Sequence, residues 1–130
     1  MRATARRLEN FRHDVKVRSH TITADEAEDG GGGDDGPSPQ ELLAASLASC
    51  TAITMEMYAR RKDWNVDGLA VDCDYQPAER GCPTRFSLIY RMPAHLSEDQ
   101  VEKLQVIAAK CPVHRTLEGE VAFDERVELA

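Results

Sequence analysis

The chain has 130 residues, 42% of them hydrophobic and 30% charged, a composition typical of a globular protein rather than a disordered or fibrous one. This length predicts a single domain over residues 1–130. The formal net charge is −7, which repels polyanions, so we expect no nucleic acid and no membrane surface as a partner. Since the sequence shows neither an unbroken membrane-spanning apolar run nor a secretory signal, we expect a cytoplasmic protein.

The four cysteines are too few for a secreted scaffold held together by disulfides, and they contain no C-x-x-C pair. They are Cys50, Cys73, Cys82 and Cys111. We therefore expect reduced thiols in a reducing compartment.

The beginning of the chain predicts two short strands. Phe11, Val15 and Val17 alternate with charged residues, which is the period of a half-buried strand, and a second strand is expected over residues 21–23. The basic residues Arg2, Arg6 and Arg7, which precede these strands, are interpreted as a charged tail.

Residues 26–36 are rich in glycine and acidic side chains, a composition that predicts a flexible surface loop. The segment lacks the Lys and Ser/Thr of a phosphate-binding loop, and its carboxylates repel a phosphate. We therefore expect a flexible loop and no phosphate site.

A long helix is predicted to begin after Ser38. Ser38 is the expected N-cap, Pro39 suits the first helical position, and Glu41 completes a capping box. From Leu42 to Ile53 the helix is apolar on nearly every face, which predicts burial all round. Cations at 60–62 suit the negative end of its dipole.

The second half of the chain predicts strands and helices that complete an α+β fold. Alternating apolar residues predict strands over 69–75 and 86–90, joined by a hairpin at 76–83. A second capping box at 97–100 opens a helix that should break before Pro112, where a short third helix begins. The alternation over residues 121–129 predicts a final strand.

Cys50 and Cys111 have the settings most favourable to chemistry. Cys50 lies within the long helix among small residues that leave room for a second group, although its position alone favours a buried structural thiol. Cys111 precedes a helix whose unpaired N–H groups stabilise a thiolate, with a helix-breaking Cys-Pro corner as the alternative. Cys73 on a strand and Cys82 in a turn are interpreted as structural.

Two motifs carry a resemblance to a known family. Residues 36–50, GPSPQELLAASLASC, and residues 108–114, AAKCPVH, resemble the OsmC/Ohr family of osmotically inducible and organic-hydroperoxide-resistance proteins. The elements predicted between the motifs also follow the family pattern, so the resemblance covers the chain from Val15 onward. Its second motif is similar to that of the broader OsmC-like branch.

The resemblance implies an intertwined α+β homodimer with antiparallel sheets around two long central helices and active sites at the subunit interface. It also implies a peroxidase that uses no cofactor or metal: Cys50 attacks the hydroperoxide and becomes a sulfenic acid, and Cys111 resolves it as a disulfide. A dithiol reductant then restores both thiols.

Five further residues are candidates for supporting the cysteines. In well-characterised members of the family, a glutamate ten residues before the reactive cysteine pairs with an arginine from the N-terminal strands. Here that position is Gln40, Glu41 follows it, and the nearest arginine is Arg18. His114 and Arg115 follow Cys111 closely enough to bring positive charge to the thiolates, although a solvent-facing position explains them equally well.

Two other functions remain open from the sequence. Cys50, Cys111 and His114 are ligand types suited to Zn²⁺, but a fourth ligand is not evident. Alternatively, a dimer of the same fold binds an apolar ligand in its interface cleft without catalysis, an interpretation that Gln40 favours.

Overall fold

The computed structural model describes residues 1–129 and has the expected α+β architecture. Its described strands form one sheet of three strands and one of two, together with three α-helices and one turn of 3₁₀ helix. Two compact units are present, one of residues 1–45 and 74–87, the other of residues 46–73 and those from 88 onward. A single domain over the whole chain stays a prediction.

The first unit contains the antiparallel sheet β1-β2-β3, formed by Thr4–Glu9, Arg12–Val17 and His20–Ala24. Strands β2 and β3 confirm the sequence prediction. The prediction of a charged tail before them is wrong, because Thr4–Glu9 pairs its backbone with β2, as in Thr4 with Lys16. Every side chain of β1 is exposed, so no hydrophobic alternation marks it as a strand.

The glycine-rich segment 26–36 lies largely at the surface, as expected, and includes a 3₁₀ turn at Glu28–Gly30. Its backbone is held at both ends, since Asp25 N–H donates to Pro37 O and Asp34 N–H to Glu26 O. A Cβ on Gly36 would lie 2.3 Å from Thr23 O, so this position requires glycine. The flexibility of the segment stays a prediction.

Helix α1, Pro39–Arg61, begins where the capping box predicts. Glu41 N–H donates to Ser38 Oγ at 3.1 Å, and Ser38 N–H donates to Glu41 Oε1 at 2.9 Å. By length and composition α1 is the one described helix that meets the criteria for a membrane span, but core helices of other proteins meet them too, so this is weak evidence.

The prediction that α1 is buried all round is wrong for the single chain. Its buried residues form one line along the helix at a spacing of four: Leu47, Thr51, Met55 and Ala59. Ile53, within the stretch predicted to be buried, is 55% exposed. The helix is apolar on more faces than its own chain covers.

The second unit holds the core cluster of Met55, Ala59, Val66, Leu104 and Ala108.

Strands β4, Ala70–Gln76, and β5, Arg85–Arg91, pair as the second sheet and confirm the predicted hairpin. Helices α2, Glu98–Ala108, and α3, Pro112–Glu118, confirm the predicted capping box and the break before Pro112.

The predicted final strand over residues 121–129 is wrong. These residues have no regular secondary structure, and Phe123 and Leu129 are 82% and 96% exposed. A strand needs a neighbouring strand for its backbone hydrogen bonds, and this segment pairs with none of the described strands.

Candidate functional site

Cys50 and Cys111 meet in the second unit as two reduced thiols. Cys50 lies half-buried on α1, whereas Cys111 is fully buried at the N-cap of α3. The Cys50 thiol is within hydrogen-bonding reach of the Cys111 sulfur. The structure therefore brings together the two cysteines that the sequence singles out.

The corner between α2 and α3 fixes the Cys111 sulfur. Cys111 N–H donates to Ala108 O at 3.3 Å, which closes the end of α2, and Pro112 starts α3 without needing a hydrogen-bond partner for its own nitrogen. His114 N–H then donates to Cys111 Sγ at 3.4 Å. The cysteine thus serves as an N-cap, a position normally filled by Ser, Thr, Asp or Asn.

Burial and hydrogen bonding shift the pKa of Cys111 in opposite directions. Burial alone raises the pKa of its thiol, but hydrogen bonds from the Cys50 thiol, the His114 N–H, the Thr51 hydroxyl and the Val113 N–H outweigh burial and lower that pKa. The surroundings of Cys111 favour a thiolate.

At Cys50 the effects that raise the pKa outweigh those that lower it. Burial raises the pKa of its thiol, and the hydrogen bond that it donates to Cys111 raises it further. The Val113 N–H and the Thr54 hydroxyl lower the pKa by less. The surroundings of Cys50 therefore favour the protonated thiol.

Sequence reasoning missed two residues of this site, Thr51 and Tyr90. Thr51 is fully buried, and its hydroxyl donates both to Leu47 O at 2.8 Å and towards Cys111. Tyr90 lies on β5, where burial and the nearby charge of Cys111 raise the pKa of its phenol. For both residues, the signal available in the sequence was a polar side chain on an otherwise apolar face.

Among the described residues, no hydrogen bond or ion pair joins the side chain of His114 or Arg115 to either sulfur, and their role in bringing positive charge to the thiolates stays a prediction. The His114 Nδ1 lies 2.7 Å from Glu118 Oε1, and the contact between His114 and the thiols runs through its backbone N–H. Arg115 is exposed, while its N–H donates to Cys111 O at 3.1 Å.

Gln40, Glu41 and Arg18 lie in the first unit and are exposed. The hydrogen bonds from the backbone N–H and hydroxyl of Ser38 lower the pKa of Glu41, so this carboxylate is engaged in capping α1. Nine residues of helix, a rise of about 13 Å, separate Glu41 from Cys50 along α1. Arg18 occupies the turn between β2 and β3, with φ of 55°.

Cys73 and Cys82 lie on different secondary-structure elements from Cys50 and Cys111. Cys73 is half-buried on β4, and Cys82 is exposed in the turn that joins β4 to β5. Within residues 1–129, no group of three or more His, Cys, Asp or Glu side chains is arranged to hold a metal ion, so the zinc alternative gains no support.

The first unit contains a separate apolar cleft of about 460 Å³. Val15 lines it from β2, Phe11 from the turn between β1 and β2, and Pro39 and Leu42 from the first turn of α1. His13, Asp25 and Glu26 add polar groups to its wall. A cleft of this size and lining suits a small apolar molecule.

Comparison with protein families gives one match that spans most of the chain. A family model described as OsmC-like protein matches residues 31–126, which include both cysteines. No curated protein matches the chain.

Solved structures share this fold at low sequence identity. An OsmC-like protein from Mycoplasma pneumoniae has a TM-score of 0.76 and 21% identity, covering 91% of this chain and 86% of that one. A protein from Psychrobacter arcticus, described as a putative osmotic stress induced and detoxification response protein, has a TM-score of 0.75 and 23% identity, with coverage of 88% and 85%. The organic hydroperoxide resistance protein OhrB of Bacillus subtilis has a TM-score of 0.62 and 18% identity, with coverage of 91% and 90%.

Proposed function

The chain belongs to the OsmC-like protein family, and from this premise we propose that it is a thiol-dependent peroxidase that reduces organic hydroperoxides or hydrogen peroxide. The contact between Cys50 and Cys111 carries the proposal. Two neighbouring thiols, one partly accessible and one buried with a lowered pKa, are suited to a cycle that ends in a disulfide.

In the first step Cys50, as a thiolate, attacks the terminal oxygen of the hydroperoxide. The S–O bond forms, the O–O bond breaks, and the departing alkoxide takes up a proton to become an alcohol. Cys50 is then a sulfenic acid, and the two electrons that it has lost have reduced the peroxide.

In the second step the Cys111 thiolate attacks the Cys50 sulfur, forming the S–S bond and releasing hydroxide, which a proton converts to water. An external dithiol returns both cysteines to the reduced state by exchange and is itself oxidised to a disulfide. The proximity of Cys111 to Cys50 supports resolution of the sulfenic acid within the same chain.

The remaining parts of the proposal are a cytoplasmic setting and an intertwined homodimer. The apolar face of α1 supports the dimer, since Ile53 and Met57 are more than half exposed in the single chain. A second copy that covers this face would bring α1 to the burial that its composition predicts.

Peroxide consumption by the reduced protein tests this function. With dithiothreitol as the reductant, the wild type should consume cumene hydroperoxide catalytically, and Cys50→Ser should be inactive. Cys82→Ser is the matched control, because it removes an exposed thiol outside the pair and should keep full activity. Turnover that survives in Cys50→Ser would refute the assignment of Cys50.

The apolar cleft of the first unit supports a second candidate function, binding of a small apolar ligand without catalysis. A fluorescent fatty acid is a suitable probe, and Leu42→Gln should weaken its binding by placing an amide in the cleft wall. Saturable binding by a protein that does not consume peroxide would favour this function over the peroxidase.

A further inference from the structure

The last part of the described chain, residues 120–129, has the side chains of a strand but no strand beside it. Its odd positions carry four apolar side chains, each more than half exposed: Val121, Phe123, Val127 and Leu129. None of the backbone hydrogen bonds among the described residues involves this segment. Joining the edge of a sheet would pair its N–H and C=O groups and bury its apolar side chains at the same time.

The same segment is acidic. Glu120, Asp124 and Glu125 have no cationic partner among the described residues, and the one cation of the segment, Arg126, is paired with Glu128 at 2.7 Å. The segment therefore combines apolar side chains with a net negative charge, and the edge that accepts it should be positively charged.

The free edge of β1 carries that charge. β1 has β2 as its only neighbour in the sheet, and all of its side chains are exposed. Arg6 and Arg7 lie on it without an ion-pair partner among residues 1–129. Exposed cations discourage two copies of the same edge from pairing with each other, but they attract an acidic strand.

The other edges of the described sheets suit the segment less well. Gly36 lies directly against the backbone of Thr23, so the chain itself packs at the end of β3. β4 carries two aspartates and no cation, which repels an acidic strand. On β5, Arg91 is already paired with Asp72, which leaves only Arg85 there.

We propose that residues 121–129 of one copy of the chain add to the free edge of β1 in a second copy, as a fourth strand of its sheet. This inference rests on the proposed homodimer and does not depend on the peroxidase chemistry. Each chain carries both the segment and the edge, so two copies related by a twofold axis exchange segments reciprocally. The exchange closes on itself and leaves no free β1 edge for further copies.

The alternation of side chains matches as well as the charge. Neighbouring residues of a strand face opposite sides, so Asp124 and Glu125 lie on opposite faces of the added strand, as Arg6 and Arg7 do on β1. Ala5 lines the apolar cleft, and Arg7 shares its face. When the apolar odd positions of the segment continue this face, their one charged member, Glu125, lies on the side of Arg7. Asp124 then lies on the side of Arg6.

Charge reversal on the two halves tests the pairing in the full-length protein. One variant carries Arg6→Glu and Arg7→Glu, and the other carries Asp124→Arg and Glu125→Arg. Each places like charges in both pairings of its own dimer. The dissociation constant of the dimer, measured by analytical ultracentrifugation, should therefore rise at least about tenfold in each variant. All four residues are exposed, so the substitutions leave the fold intact.

A mixture of the two variants, one of them labelled with nitrogen-15, restores the complementarity. The heterodimer pairs an acidic β1 with a basic segment, and a basic β1 with an acidic segment. Native mass spectrometry should therefore find the heterodimer well above the half expected for random mixing. Variants that each dimerise like the wild type and mix at random would overturn the proposal.

Amide hydrogen exchange tests the backbone pairing directly. In the wild-type dimer, exchange at residues 121–129 should be slowed at least about tenfold relative to an unpaired chain. Phe123→Asp, which places a charge on the apolar face, should abolish this protection, whereas Ala122→Asp on the opposite face is the matched control and should keep it.

The outcomes separate the three claims. A dimer whose residues 121–129 exchange as fast as an unpaired chain would overturn the strand exchange and leave the homodimer standing. A protein that is monomeric throughout would overturn both. Neither measurement uses peroxide, so the peroxidase function succeeds or fails on its own assay.

Discussion

The hydroxyl of Thr51 offers a direct test of how the charge on Cys111 is stabilised. Thr51→Val replaces a fully buried side chain by one of nearly the same shape and removes its single hydroxyl proton. A hydrogen bond to a charged group contributes about 1.5–3 kcal/mol. The Thr51 proton is shared between Leu47 O, at 2.8 Å, and the Cys111 sulfur, so we assign about half of this energy to the thiolate.

This loss of about 1 kcal/mol should reduce the ratio of thiolate to thiol at Cys111 roughly fivefold at a fixed pH. Ultraviolet titration of the reduced variant measures the ratio. Thr51→Ser keeps the hydroxyl and should titrate like the wild type. Thr54→Val removes a hydroxyl that faces Cys50 instead, so it should change the titration of Cys111 less than Thr51→Val does. Identical titrations of Thr51→Val and Thr51→Ser would refute the role of this hydroxyl.

Three further predictions concern the fold that positions the site. Leu104→Ala should lower the free energy of unfolding by about 2–5 kcal/mol because Leu104 is fully buried in the core. Val106→Ala on the same helix, at a residue 56% exposed, should change it by less than about 0.5 kcal/mol. Equal denaturant midpoints for the two variants would contradict this. Ser38→Ala should cost about 1 kcal/mol by removing the N-cap of α1, and an unchanged thermal midpoint would contradict the capping assignment. The backbone N–H groups of Asp35 and Glu26 lower the pKa of Asp25 below its ordinary 3.8, so the carboxylate stabilises the fold above that pH and this stabilisation is lost as the pH falls through the folded-state pKa. The loss in free energy of unfolding caused by Asp25→Asn should therefore shrink on acidification, and a loss that does not change with pH would refute this.

The elements that the sequence predicts well are those specified by neighbouring residues. The capping box of Ser38 and Glu41 closes within four residues, and Pro112 excludes the helical conformation for the residue before it. These signals place the start of α1 and the corner at Cys111, and with them the elements that carry both cysteines.

The errors have a common cause, which is that pairing and burial depend on distant residues. Thr4–Glu9 lacks an apolar alternation but forms a strand because β2 offers its backbone hydrogen bonds. Residues 121–129 have the alternation but lack a paired strand in this chain. The pattern of side chains shows which face a strand would bury and does not show whether a partner strand exists.

The site was predicted only in part for the same reason. The proximity of Cys50 and Cys111 came from the family resemblance, since spacing in the sequence does not specify contact. Thr51 and Tyr90 were missed because their importance lies in facing Cys111 across the packed elements. His114 was singled out for its imidazole, whereas its backbone N–H makes the contact.

Mass spectrometry of the protein treated with one equivalent of cumene hydroperoxide tests the central claim most directly. The proposed cycle predicts a single disulfide that joins Cys50 to Cys111, with Cys73 and Cys82 unmodified and one equivalent of alcohol released. Cys50 and Cys111 recovered as thiols, or a disulfide between Cys73 and Cys82, would contradict it.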